Sequence, residues 1–236
     1  VTTLTKALDA DPGALIGWAT KLTAAEAVRT VEDWRHLKTA EEAERLIKAS
    51  SRRQQNVKRD TGTAVHQMIE DWLAYSQQDT DEAFQVPKAL APYMEGLGYF
   101  IQETGWAPLL TEVTLVNTEW HYAGTCDAIG QVGGDVVMLD WKTGSLRPAP
   151  MAAQLLLLNH ADLILEDDGT EKVSPGADRL WVVQIGPGDY SIHQVDPPPV
   201  NVLEDLLMAL PAVQRLTHDL GSQVHRLPEP LRVVEA

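Results

Sequence analysis

The stretch Gly124 to Gly144, GTCDAIGQVGGDVVMLDWKTG, decides the fold. Two β-prone runs, Tyr122 to Val132 and Asp135 to Lys142, are separated by Gly133 and Gly134 alone. That spacing predicts a hairpin closed by a two-residue type I′ or II′ turn. With Val132 facing Asp135 across the turn, counting back along both strands brings Asp127 opposite Asp140. Side chains alternate along a strand, so Asp140 and Lys142 share one face while Val137, Leu139 and Trp141 share the other.

An Asp, Asp, Lys triangle follows from that register. Opposed Cβ atoms lie roughly 4.5–5.5 Å apart, where two carboxylates repel by about 3 kcal/mol at an effective dielectric near 20. A divalent cation converts the repulsion into coordination. Hard oxygen donors beside a lysine suit Mg²⁺ or Mn²⁺ better than zinc. The plainer reading, a solvent-facing hairpin in which Lys142 neutralises Asp140, leaves the opposed Asp127 unexplained.

The ordered set of His66 in G-x-x-x-H, Glu112 on a strand, Gly124 to Asp127 as G-x-x-D, Asp140 to Gly144 as D-x-K-T-G and Gln154 on the next helix resembles the PD-(D/E)xK nuclease superfamily. Its RecB-like exonuclease branch, which includes CRISPR-associated and phage recombination nucleases, is the nearest. The resemblance spans about Thr61 to Asn159. It implies a restriction-endonuclease-like core in which Asp127, Asp140, the backbone carbonyl of Trp141 and His66 hold the metal. Lys142 then orients or deprotonates water or balances charge, Glu112 lies near the metal, and Gln154 reaches the site or a substrate phosphate. Family members commonly carry Q-x-x-x-Y at this helix, but Leu158 stands where the tyrosine belongs.

A single cysteine, Cys126, excludes an internal disulfide and a four-cysteine iron–sulfur cluster or zinc site built by this chain alone. No apolar run approaches the ~20 residues of a membrane span, and no secretory signal is recognised. With the resemblance, the expected location is the cytoplasm of a bacterial or phage-infected cell. A net charge of −15 opposes phosphate binding in general. Basic charge is nevertheless concentrated: Arg45, Lys48, Arg52, Arg53, Lys58 and Arg59 follow one another with no acidic residue between. Arg52, Arg53, Lys58 and Arg59 are the candidate DNA-binding residues, the competing reading being an ordinary solvated helix face.

In chain order, Val1 to Leu46 reads as mostly helical, with a helix opened by Asp11-Pro12 and capping boxes at Thr23/Glu26 and Thr39/Glu42. Trp18 and Trp34 read as packing anchors. Asp60, Thr61 and Gly62 mark a new helix start, whose stripe is Val65, Met68, Ile69 and Trp72. A scaffold helix ends near Glu103, and Thr111 to Val116 is a strand leading into the hairpin. A helix of about Met151 to Leu165 follows, then a polar loop from Glu166 to Asp178, a second hairpin from Leu180 to Val195, and a final helix of about Val200 to Leu220.

The fold class expected is α/β, a central mixed β-sheet flanked by helices on both faces with a helical N-terminal region. One domain over residues 1–236 is expected, divided into a helical part (1–60), a core (61–195) and a C-terminal helix and tail (196–236). The resemblance implies an Mg²⁺- or Mn²⁺-dependent DNA exonuclease of recombination or repair, with a recombination or helicase protein as partner. A structure-specific endonuclease or resolvase, and a non-cleaving nucleic-acid-binding protein of the same fold, are the alternatives. The P-loop pattern is missing, so no fused ATP-driven motor is expected.

Overall fold

A computed structural model describes residues 23–37, 39–78, 82–166, 168–199 and 202–209. The Asp11-Pro12 helix, Trp18, the side chain of Trp34 and the C-terminal helix beyond residue 209 lie outside the described residues. The elements are α1 (23–29), α2 (Val31–Trp34), α3 (Ala40–Ser76), α4 (Ala91–Thr104), β1 (Ala107–Asn117), β2 (Tyr122–Val132), β3 (Asp135–Lys142), α5 (Pro148–Asn159), β4 (Leu163–Leu165), β5 (Glu171–Val173), β6 (Arg179–Gly186), β7 (Asp189–Val195) and α6 (202–209).

The strands form a seven-stranded sheet ordered β5-β4-β1-β2-β3-β6-β7. All neighbours are antiparallel except β3 and β6, which run parallel, so the sheet is mixed. The β2–β3 register is the one expected, from Val132↔Asp135 to Ala128↔Leu139. Of the two turn glycines only Gly133 has positive φ, at 59°, the type II′ pattern rather than I′.

Each face of the sheet carries its own core. On one face Val65, Ile69 and Leu73 of α3 and Leu97 and Phe100 of α4 pack against Val137, Leu139, Trp141, Val183 and Ile185. On the other, Met151, Leu155 and Leu158 of α5 cover Cys126, Ile129, Met138, Leu180 and Val182. The alternation in β3 explains both: its odd residues feed the first core and Met138 the second.

Three expectations are corrected. No helix starts at Asp60; α3 opens at the Thr39 capping box, where Glu42 N–H bonds Thr39 Oγ1 at 3.2 Å, and runs unbroken through Gly62. Thr61 and Thr63, which look like breakers, instead bond the carbonyls of Val57 and Arg59 one turn back at 2.8 and 3.2 Å. The division at residue 60 therefore falls inside a helix. Second, α5 ends at Asn159, where the buried Asn117 side chain donates to the His160 carbonyl at 2.7 Å, and Leu163–Leu165 becomes a strand on β1. Third, the Glu166 to Asp178 loop contains β5, which pairs with β4.

Candidate active site

The hairpin, α3 and α5 converge at one end of β3. Asp140 is buried, its Oδ1 accepting from Gln154 Nε2 of α5 at 3.3 Å. Its Oδ2 is an ion-pair contact of Lys142 Nζ but takes part in no well-formed hydrogen bond. Lys142 Nζ also donates to the Trp141 carbonyl at 3.1 Å. From the other side, His66 of α3 places Nδ1 3.7 Å from Asp127 Oδ2, and that same oxygen accepts the Trp141 N–H at 2.7 Å. His66, Asp127, Asp140, Trp141, Lys142 and Gln154, widely separated in sequence, thus share one site.

Regular β2–β3 pairing stops at Ala128↔Leu139, one step short of the two aspartates. The β1–β2 ladder likewise passes from Thr111↔Ala128 to Val113↔Cys126, stepping over Glu112 and Asp127. Leu110 and Val113 pack in the same core, as do Cys126 and Ile129, which strict alternation forbids. Both strands break alternation at facing positions while the pairing register on either side is kept. Glu112 takes φ 50°, in the left-handed region, at the break in β1. At this break Asp127 meets His66 of α3, and Glu112 lies close enough to Glu70 of α3 for the two carboxyls to influence each other.

Glu70 is the site residue missing from the sequence-based set. It stands one helical turn after His66, so the H-x-x-x-E spacing was the available signal. Gln67 Nε2 donates to its Oε2 at 2.9 Å.

Burial raises the pKa of both aspartates; the charge of Asp127 adds to the rise at Asp140, while Lys142 opposes it at both. Glu112 is pushed up to about 8, by desolvation of its carboxyl first, then by the Glu70 hydrogen bond and charge and by Asp127. His66 is lowered, chiefly by burial and then by Lys142, so its ring favours the neutral form that can ligate or accept. These are carboxyls whose charged forms burial disfavours, crowded against one lysine, the arrangement expected where a cation's charge completes the balance.

Among the described residues no three His, Cys, Asp or Glu side chains are grouped closely enough to hold a metal as they stand. The donor chemistry does fit a hard divalent ion: carboxyl oxygens of Asp127 and Asp140, the Trp141 carbonyl, and Asp140 Oδ2 buried without a hydrogen bond. Of the basic run, Arg59 is exposed and contacts Asp60 at 3.4 Å, while the side chains of Arg52, Arg53 and Lys58 lie outside the described residues. Among the described residues no helix is long and apolar enough to cross a membrane.

No protein-family model and no curated protein matches the sequence. Among solved structures, the crystal structure of SSO0001 aligns over 68% of this chain and 72% of that one, with 15% identity and a TM-score of 0.29. A likeness this slight leaves the fold and the site to be argued from the chain's own geometry.

Proposed function

We propose that this protein is a divalent-metal-dependent nuclease hydrolysing phosphodiester bonds in DNA, of the PD-(D/E)xK superfamily and nearest its RecB-like exonuclease branch. The supporting observation is the buried Asp140 held between Lys142 and Gln154, with Asp127 and His66 facing the Trp141 backbone alongside. Asp127, Asp140, the Trp141 carbonyl and His66 would hold Mg²⁺ or Mn²⁺. When bound, the ion supplies polarisation of the scissile phosphate and a lowered pKa for water.

The chain's own groups do the rest. Lys142 Nζ, tethered between Asp140 and the Trp141 carbonyl, would orient the attacking water or balance negative charge on the phosphate. Neutral His66 is free to accept a hydrogen bond or to ligate. Gln154 fixes Asp140 through Oδ1 and so aims Oδ2. Protonated Glu112, paired with Glu70, limits the negative charge that an incoming phosphate meets. The cytoplasm of a bacterial or phage-infected cell, and a recombination or helicase partner, belong to this reading.

End-labelled linear DNA and covalently closed circles, each incubated with Mg²⁺, Mn²⁺ or EDTA, test it. Progressive loss of the linear substrate, dependent on metal and absent in Asp140→Ala, is expected. Rapid nicking of the circles would favour an endonuclease instead, and no cleavage of any DNA would sink the nuclease reading.

A further inference from the structure

The long helix α3 does two separable things. Its second half packs on the sheet through Val65, Ile69 and Leu73. Its first half stands against α1, where the buried Ser50 hydroxyl bonds the buried Glu26 carboxylate. At about 100° per residue, Ser50 lies roughly opposite His66 around the helix axis. Arg45, Lys48 and Arg59 fall within about 60° of His66, on the side away from α1. All three are exposed. The ion pairs they contribute to, Lys48 with Glu44 and Arg59 with Asp60, are surface pairs that exchange readily for other partners. Arg52 occupies the same phase, two turns from Arg59.

We propose that this face of α3 is a cradle for double-helical DNA adjoining the strand end at the active site, an inference that rests on the nuclease reading above. From Arg45 to His66 the helix rises about 31 Å, at 1.5 Å per residue. That length matches about nine base pairs of duplex at 3.4 Å per step. Residues spaced by two turns recur about every 10.5 Å, so such cations meet about every third phosphate by axial rise. A single strand is the less fitting occupant. Sequence-tolerant single-strand binding adds aromatic platforms on which bases stack, and from Arg35 to Asp71 the chain has no Phe, Trp or Tyr. In a chain of net charge −15, an acid-free basic run leading to the site also confines phosphate attraction to the one direction that feeds it.

The test is binding without cleavage, in EDTA and again in Ca²⁺, of a fluorescent 20-base-pair duplex and the matching single strand. The full chain is compared with the triple variant Arg45→Gln, Lys48→Gln and Arg59→Gln, whose exposed positions leave helicity by circular dichroism unchanged. For the duplex, the slope of log affinity against log salt should fall by about 2.7, three contacts at about 0.9 each, while the single-strand slope stays put. An unaltered duplex slope, or no duplex binding in either condition, overturns the proposal. An equal fall for the single strand overturns the duplex assignment. The nuclease reading is judged separately by metal-dependent cleavage: loss of cleavage with an intact slope change would leave the cradle standing and remove the activity.

Discussion

Asp127 stands in for a main-chain carbonyl: its Oδ2 takes the Trp141 N–H at 2.7 Å at the point where β2 and β3 cease to pair regularly. The carboxylate therefore closes the hairpin as well as facing the site. Asp127→Ala should leave the buried Trp141 N–H without its partner and cost about 1–3 kcal/mol, a melting shift of several degrees at about 2–4 °C per kcal/mol. Asp127→Asn retains an acceptor oxygen and should melt close to wild type while losing activity. Equal melting of the alanine and wild-type proteins would show that the hydrogen bond contributes nothing to the hairpin.

Asp140 and Lys142 should separate metal binding from rate. Asp140→Asn keeps an acceptor for Gln154 and removes a buried charge that desolvation and Asp127 both oppose. It is expected to melt at or above wild type in EDTA, and to lose the Mn²⁺-induced rise. Saturating Mn²⁺ at 100 times its dissociation constant would give wild type about 2.7 kcal/mol. Lys142→Ala should keep that rise and lose about 100-fold or more in single-turnover cleavage. The same Mn²⁺ response in wild type and Asp140→Asn would place the metal elsewhere.

Apo stability should fall as pH rises across the site's carboxyls. Glu112 is at about 8 in the folded protein and near 4.3 in an unfolded chain. Between those values the folded state binds more protons, so this contribution is fully present below about pH 4.3 and lost as pH climbs through 8. In EDTA, the drop in melting temperature from pH 5.5 to pH 8.5 should be smaller for Glu112→Gln than for wild type. A larger drop in the variant would reverse the assigned direction.

At Gly62, α3 passes close to the loop that follows β3. A Cβ there would lie 3.0 Å from Thr143 Oγ1. In Gly62→Ala the threonine side chain can rotate aside, and the gain in helix propensity of about 1 kcal/mol should leave stability equal or higher. Gly62→Val adds bulk that rotation cannot absorb and should move α3 off the loop, widening the His66–Asp127 approach. Cleavage should drop at least tenfold in the valine protein while its melting temperature changes by only a few degrees. Full activity in that protein would show that the close approach does not set the site.

The hairpin was legible because glycine pairs and alternation are local signals, and the sheet class followed from it. Its core residues Val137, Leu139 and Trp141 lie where the alternation put them. Leu163–Leu165 was not legible, since an apolar run after a helix becomes a strand only through Thr114 to Val116, far away in sequence. Nor was the continuity of α3, because Asp60, Thr61 and Gly62 carry start signals that long-helix packing overrides. Most of the candidate site could be read from motif order. Glu70 had only the H-x-x-x-E spacing to point to it, and its place beside Glu112 depends on a break of alternation in β1 that no residue pattern announces.

The strained backbone at Glu112 has an evolutionary consequence. A non-glycine residue at φ 50° in mid-strand is held there at a cost of order 1–3 kcal/mol, and position 112 adds a carboxyl that burial disfavours in its charged form. Selection for thermal tolerance alone should drift toward glycine or asparagine at this position, yielding robust proteins with blunted activity. A library randomised at residue 112 and sorted twice, once for heat resistance and once for DNA turnover, should return two different winners.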